Sequence, residues 1–120
     1  MDIDVTNKQQ LRTLGYKERI YYCGSGCQRL RNWLRESVQK IGIPFPFNPA
    51  CFKHDYAYSK GFDSLAHKFS IDYEFYADMC KLIPTGKYEK RLKRRALVFY
   101  VLVLLATPFY YKNGRTSKTN

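Results

Sequence analysis

Acidic residues are scarce in this 120-residue chain, with 10 Asp+Glu against 21 Lys+Arg and a net charge of +11. Such a field disfavours cationic partners and favours nucleic acid, phospholipid head groups or acidic proteins. No apolar run reaches the roughly 20 residues that a membrane-spanning helix needs. The longest, Ala96 to Tyr111, has 16 residues and is interrupted by Thr107. It reads as a buried core helix. The basic flank from Lys90 to Arg95 keeps a membrane anchor as the alternative, because positive residues beside an apolar run also fix topology. The chain lacks a G-x-S-x-G motif and with it a serine nucleophile elbow. No second close Cys/His pair completes the C-x3-C of Cys23 and Cys27, so a zinc site is the lesser reading. The first ten residues are polar and carry no secretory-signal pattern: the sequence begins after processing, or no signal was ever there. There is no internal repeat, no low-complexity linker and no sustained period-two alternation, so the chain reads as all-α.

What is present fits one domain. Hydrophobic residues at 45% and charged residues at 26% are close to globular averages and exclude wholesale disorder. Eleven Tyr and eight Phe suit a small helical core with polar rims, or an interface. The four cysteines, Cys23, Cys27, Cys51 and Cys80, fit two disulfides in any of three connectivities, with buried reduced thiols as the alternative.

Glycine and proline punctuate the chain. A short helix is expected from Asn7, its cap, to Leu14, stopping at Gly15. Leu30, Leu34, Val38 and Ile41 recur near helical spacing. Asn48-Pro49 reads as an N-cap followed by proline at the first helical position, opening a helix that runs to about Lys60 and stops at Gly61. Asp63 or Ser70 is expected to cap the next helix. That helix carries Ile71 to Leu82 and is closed by Pro84-Thr85-Gly86. The last helix is expected from near Tyr88 to about Thr107.

The third of these helices carries the chemistry. Cys51, His54, Asp55 and Tyr58 fall at i, i+3, i+4 and i+7 and share one face. A core stripe carries Leu, Ile or Val there; this one carries a thiol, an imidazole, a carboxylate and a phenol. Burying such groups is costly without partners, so the face must meet polar groups, water or a metal. Histidine can take up a proton near neutrality, and aspartate is a hard oxygen ligand suited to calcium. Upstream, Tyr22-Cys23-Gly24-Ser25-Gly26 is a loop whose glycines let backbone carbonyls converge. Downstream, Asp72 sits near the expected start of the next helix. There it would accept a hydrogen bond from His54 if the two helices run antiparallel.

Tyr22-Cys23-Gly24-Ser25-Gly26, followed by Cys51-x-x-His54-Asp55-x-x-Tyr58, resembles the secreted phospholipase A2 superfamily, with its Y-C-G-x-G loop and C-x-x-H-D-x-x-Y helix. The run Phe47 to Asp55, then Ile71-Asp72-x-x-Phe75 and Asp78-Met79, is most similar to the small bacterial and fungal branch. Parvoviral capsid phospholipase domains also share Y-x-G-x-G and H-D-x-x-Y. The resemblance covers residues 20–111, leaving 1–19 as an N-terminal segment and 112–120 as a polar tail of a single domain. It implies a small helical fold with two long antiparallel helices, a calcium-binding loop and disulfides.

The resemblance also implies roles. His54 would be the general base that takes a proton from a water attacking the sn-2 ester of a phospholipid. Asp72 would orient and stabilise the resulting imidazolium, with Tyr58 supporting Asp72. Asp55 would hold Ca2+ together with the backbone oxygens of Tyr22, Gly24 and Gly26. Cys51 would pair with Cys23, leaving Cys27 and Cys80, or with Cys27, leaving Cys23 and Cys80. The bacterial branch places an Asp just before a Gly-Cys in its calcium loop; here Ser25 stands ahead of Gly26-Cys27, and the Y-C-G-x-G branch uses carbonyls instead.

The partner so implied is a phospholipid membrane or aggregate, anionic by charge. Between Lys81 and Arg95 there are seven Lys/Arg and one Glu, a net +6. That stretch is either a solvated face or a docking surface. Leu11, Leu14, Trp33 and Phe47 are candidates for an apolar rim or for core. The implied location is secreted, with a virion-associated chain or one anchored by residues 96–111 as alternatives. A catalytically silent member of the same fold, acting as a membrane-binding module, is the second reading. A basic nucleic-acid-binding protein is the third, and no zinc-finger or RNA-motif signature supports it.

Overall fold

The structure is a computed structural model that describes residues 3–20, 22, 32–33, 36, 40 and 46–105. Four helices are bounded within them: α1 (Lys8–Thr13), α2 (Asn48–Ser59), α3 (Leu65–Lys81) and α4 (Glu89–Leu105). No strand occurs among the described residues, in keeping with the all-α expectation. Most of the expected helix over Leu30 to Ile41 lies outside the described residues.

Asn7 caps α1 as expected, its side chain accepting from the Gln10 N–H at 3.1 Å. The chain leaves α1 at Gly15, whose φ of +105° is a conformation that favours glycine. The start of α2 differs from expectation by one residue. Asn48 is the first helical residue, Phe47 holds the cap position without a side-chain bond, and Pro49 lies in the first turn. Asn48 cannot cap because its side chain is engaged elsewhere. Its Oδ1 accepts from the Tyr22 N–H at 2.9 Å, and its Nδ2 donates to the Ile20 carbonyl at 2.6 Å.

Neither Asp63 nor Ser70 caps α3. Ser64 does, accepting from the His67 N–H at 3.1 Å, so α3 begins well before Ile71 and Asp72 lies in its middle. Ser64→Ala is expected to cost about 1 kcal/mol, the usual worth of a serine cap. Urea denaturation would read this as a lower midpoint at unchanged slope; an unmoved midpoint would refute the capping role.

Helix α2 runs antiparallel to α3. His54 reaches Asp72, while Lys53, one residue earlier, reaches Glu74 and Asp78 further along. Helix α4 runs antiparallel to α3 in turn: Lys68 bonds the Val103 carbonyl, and Tyr76 stacks on Tyr100 with ring centroids 5.3 Å apart. The main core lies between these three helices and is built from Phe47, Ala50, Cys51, Phe75, Met79, Leu92, Ala96 and Phe99. Phe47 meets Phe99 edge-on at 5.5 Å, a geometry worth about 0.5–1.5 kcal/mol beyond area burial.

A second cluster of Ile3, Leu11, Tyr16 and Phe52 covers another side of α2. Helix α2 is thus enclosed nearly all round, which is why it buries Lys53 and His54 along with its apolar residues. Leu11 and Phe47 are fully buried and belong to the core, not to an exposed rim; Trp33 is half exposed.

Helix α4 has two characters. Leu92, Ala96 and Phe99 are buried, whereas Leu97, Val101 and Leu105, spaced four apart, are exposed. No helix among the described residues is long and apolar enough to cross a membrane.

Candidate active site

The centre of the site is a carboxylate that water does not reach. Asp72 is fully buried in the middle of α3, and three side chains converge on it. His54 Nε2 lies 2.8 Å from Oδ1. The Tyr58 hydroxyl donates to the same oxygen at 2.6 Å. The Lys68 ammonium, also fully buried, holds Oδ2 and donates to the Val103 carbonyl at 3.1 Å. His54, Asp72 and Tyr58, three residues singled out from sequence, are therefore brought together. The reason is helical arithmetic. His54 and Tyr58 lie one turn apart on α2 and face the same point of the antiparallel α3.

The imidazole is clamped as well as bonded. Its ring stacks on Phe75 at 4.5 Å and lies 4.2 Å from the Tyr58 ring. Burial pushes its pKa below the ordinary histidine value. Asp72 pulls the other way through its bond and charge, and the Lys68 ammonium adds to the lowering. Burial pulls Asp72 upward, but hydrogen bonds from His54, Lys68 and Tyr58 together hold its carboxyl below the ordinary range. The result is a neutral imidazole facing an ionised carboxylate. In that state Nε2 carries the proton shared with Asp72, and Nδ1 keeps a lone pair.

His54 lines a cleft of about 270 Å³ between α2 and α3, whose walls include Ala57, Ile71 and Phe75. The same cleft meets a second polar cluster. Lys53 Nζ lies 2.5 Å from Glu74 Oε1 and 2.8 Å from Asp78 Oδ2. Burial lowers the Lys53 pKa, but its bonds to Asp78 and Glu74 outweigh this and raise it. Asp78 is pushed up by burial, which Lys53 offsets only in part.

The expected calcium ligands are only partly within view. Asp55 is half-buried on α2, beside His54. Tyr22, at the head of the glycine loop, is held in place. Asn48 takes its N–H, its ring packs against Tyr16 and Phe52 at 5.7 and 5.0 Å, and its hydroxyl accepts from the Lys17 N–H. The start of the loop is thereby tethered to the first turn of the helix that carries Asp55, and that tether fits a shared oxygen site. Gly24, Gly26, Cys23 and Cys27 lie outside the described residues. Among the described residues no three His, Cys, Asp or Glu side chains cluster as a metal site. The implied set has one carboxylate plus carbonyls and is of a different kind.

Cys80 overturns one expectation. It is a free, half-buried thiol, not the partner of a loop cysteine. The core face of α3 carries Phe75 and Met79; Cys80 lies a further 100° round the helix, one turn beyond Tyr76.

Two groups escaped the sequence reading. Lys68 had a legible signal, since it precedes Asp72 by four residues, the spacing of a helical ion pair. The Lys53 cluster had none, because its carboxylates meet Lys53 only when α2 and α3 pack together.

No family model, curated protein or solved structure matches this chain.

Proposed function

We propose that this chain is a calcium-dependent hydrolase of the phospholipase A2 type, cleaving the sn-2 ester of phospholipids at a membrane surface to release fatty acid and lysophospholipid. The observation that carries the reading is the 2.8 Å contact from His54 Nε2 to Asp72 Oδ1, with Tyr58 on the same oxygen and the ring lining a cleft. Such an arrangement fixes one tautomer and leaves Nδ1 as the base.

In the proposed reaction, His54 accepts a proton at Nδ1 from a water in the cleft, which attacks the ester carbonyl. Asp72 holds the Nε2–H and balances the imidazolium that forms. Tyr58 and Lys68 keep the carboxylate ionised through the step. His54 then returns the proton to the leaving lysophospholipid oxygen. No covalent intermediate is required. Ca2+ would be held by Asp55 and the backbone oxygens of Tyr22, Gly24 and Gly26. When bound, it supplies Lewis-acid polarisation of the ester carbonyl and of the developing oxyanion. A disulfide from Cys51 to Cys23 or Cys27 would tie the glycine loop to α2.

The partner is an anionic lipid surface. The exposed side chains of α4 support this choice: Lys90 and Arg94 lead into Leu97, Val101 and Leu105 at three- and four-residue spacing. Each cation near an anionic surface contributes roughly 1 kcal/mol, screened by salt.

The test is fatty-acid release from anionic phospholipid vesicles, with calcium and then with a chelator. Release that stops on chelation and returns with added calcium is the expected result. Absence of release while the protein still sediments with vesicles would replace this reading with the silent membrane-binding module. Salt-dependent DNA binding without lipid turnover would replace it with the nucleic-acid reading.

A further inference from the structure

Lysine 68 is the least expected member of the buried network. A lysine with no exposed surface is rare, and desolvating its ammonium costs several kcal/mol on the scale typical of buried ions. Stability alone does not call for it. A buried ion pair replaced by apolar groups of similar volume is often neutral or better. The geometry suggests what it does instead.

Asp72 has two carboxylate oxygens that rotation about one bond would exchange. No water reaches them, so only protein donors can set which oxygen faces the imidazole. Oδ1 receives His54 and Tyr58, both from α2. Oδ2 receives Lys68, from one turn earlier on α3. The same ammonium is held a second time, by the Val103 carbonyl of α4 at 3.1 Å. A side chain with two fixed acceptors on two helices cannot follow the carboxylate if it turns.

We infer that Lys68 is a positioning residue, whose ammonium, pinned between Asp72 Oδ2 and the Val103 carbonyl, keeps Asp72 Oδ1 aimed at His54 Nε2. The inference deepens the proposed hydrolase and, for its effect on turnover, rests on that reading. Lys68 touches no substrate; it acts through Asp72 on the orientation and tautomer of His54. It also ties the site to α4, so the packing of α4 on α3 bears directly on the imidazole.

Two variants of the full chain test this. Lys68→Met removes the ammonium and every donor. Lys68→Gln keeps a neutral donor at a spacing from which glutamine can pair with an aspartate on a helix, but it is too short to hold Val103 as well. The first readout needs no substrate: the hydrogen-bonded Nε2–H resonance of His54 in protein labelled with 15N-histidine. The second is the split between kcat and KM on anionic vesicles with calcium.

The resonance is expected to weaken in Lys68→Gln and to vanish in Lys68→Met. The kcat is expected to fall about 10-fold and about 100-fold respectively, by analogy with the loss of a hydrogen-bond partner behind a metal-bound histidine, with KM unchanged. Should Lys68→Met fail to fold, Lys68→Gln still decides. A folded variant that keeps both the resonance and the parent kcat would overturn the inference. So would a fall in kcat matched by a rise in KM or by loss of the near-UV circular dichroism, since either marks a packing role. If the parent shows the resonance but hydrolyses nothing, the hydrolase reading fails alone, and the response of the resonance still tests Lys68.

Discussion

His54→Gln is expected to lower kcat by about 10²–10⁴-fold, the usual contribution of a positioned general base, while leaving the fold in place. Glutamine is close to histidine in reach, and its amide N–H can still donate to Asp72 Oδ1. The donor that satisfies the buried carboxylate is therefore kept, and what is lost is the basic nitrogen on the other side of the ring. Stacking on Phe75 is lost as well, and that aromatic contact is worth about 0.5–1.5 kcal/mol. The variant should be somewhat less stable but folded at room temperature. KM should change little, because in the proposed mechanism the imidazole acts on the water and contributes little to holding the lipid. Fatty-acid release measured beside near-UV circular dichroism separates the outcomes. A folded variant with parental turnover would remove His54 from the proposed mechanism.

The helix that bears the site was legible because its polar residues fall at helical spacing where a core stripe would carry hydrocarbon. Tyr58, His54 and Asp72 were legible as a set for the same reason: two residues one turn apart on one helix can meet one residue on an antiparallel neighbour. Helix ends were legible where glycine with positive φ stops them, at Gly15 and Gly61. They were less legible where side chains had competing uses. Asn48 looks like a cap in sequence, yet its amide ties Tyr22 and Ile20 to α2. Ser64 competes in sequence with Asp63 and Ser70, and the cap among neighbouring candidates is whichever one adopts the extended backbone.

Cys80 shows the limit of counting cysteines. An even number says nothing about which face of a helix each thiol occupies, and Cys80 lies off the face that meets α2. The Lys53–Glu74–Asp78 cluster was invisible because long-range charge pairing depends on the register of two packed helices, which composition does not encode.

The buried network joins the same three helices as the apolar core. Asp72 bonds to α2 through His54 and Tyr58, and Lys68 beside it bonds to α4 through Val103. The apolar contacts of Phe47, Phe75, Met79 and Phe99 hold the same three helices. Hydrophobic packing is non-directional and tolerates small slides. Hydrogen bonds to a desolvated carboxylate do not, so the polar network sets the register that the apolar core stabilises.

Asp72→Asn is expected to destabilise the fold by about 3–5 kcal/mol at neutral pH, the scale for removing one partner of a buried ion pair. Asparagine matches aspartate in size, so no cavity forms. The cost comes from the Lys68 ammonium, which loses the charge of Asp72 while remaining sealed from water. The proposed hydrolysis should fall as well, because a neutral amide cannot balance an imidazolium.

The stability difference should depend on pH, with a definite sign. The folded-state pKa of Asp72 lies below the ordinary value of 3.8, so the carboxylate stabilises the fold fully above that value. As pH falls through the folded pKa, the parent takes up the proton and comes to resemble the variant. The gap between parent and Asp72→Asn should therefore be fully present above the ordinary carboxylate value and close in strong acid, with His54, whose pKa Asp72 supports, adding to it in mild acid. Asp78 titrates with the opposite sign, its folded pKa being raised, but it is present in both proteins and cancels in the difference. Urea unfolding of the pair at a series of pH values measures the gap. A gap that stayed constant into acid would mean that Asp72 is not the ionised centre of the network.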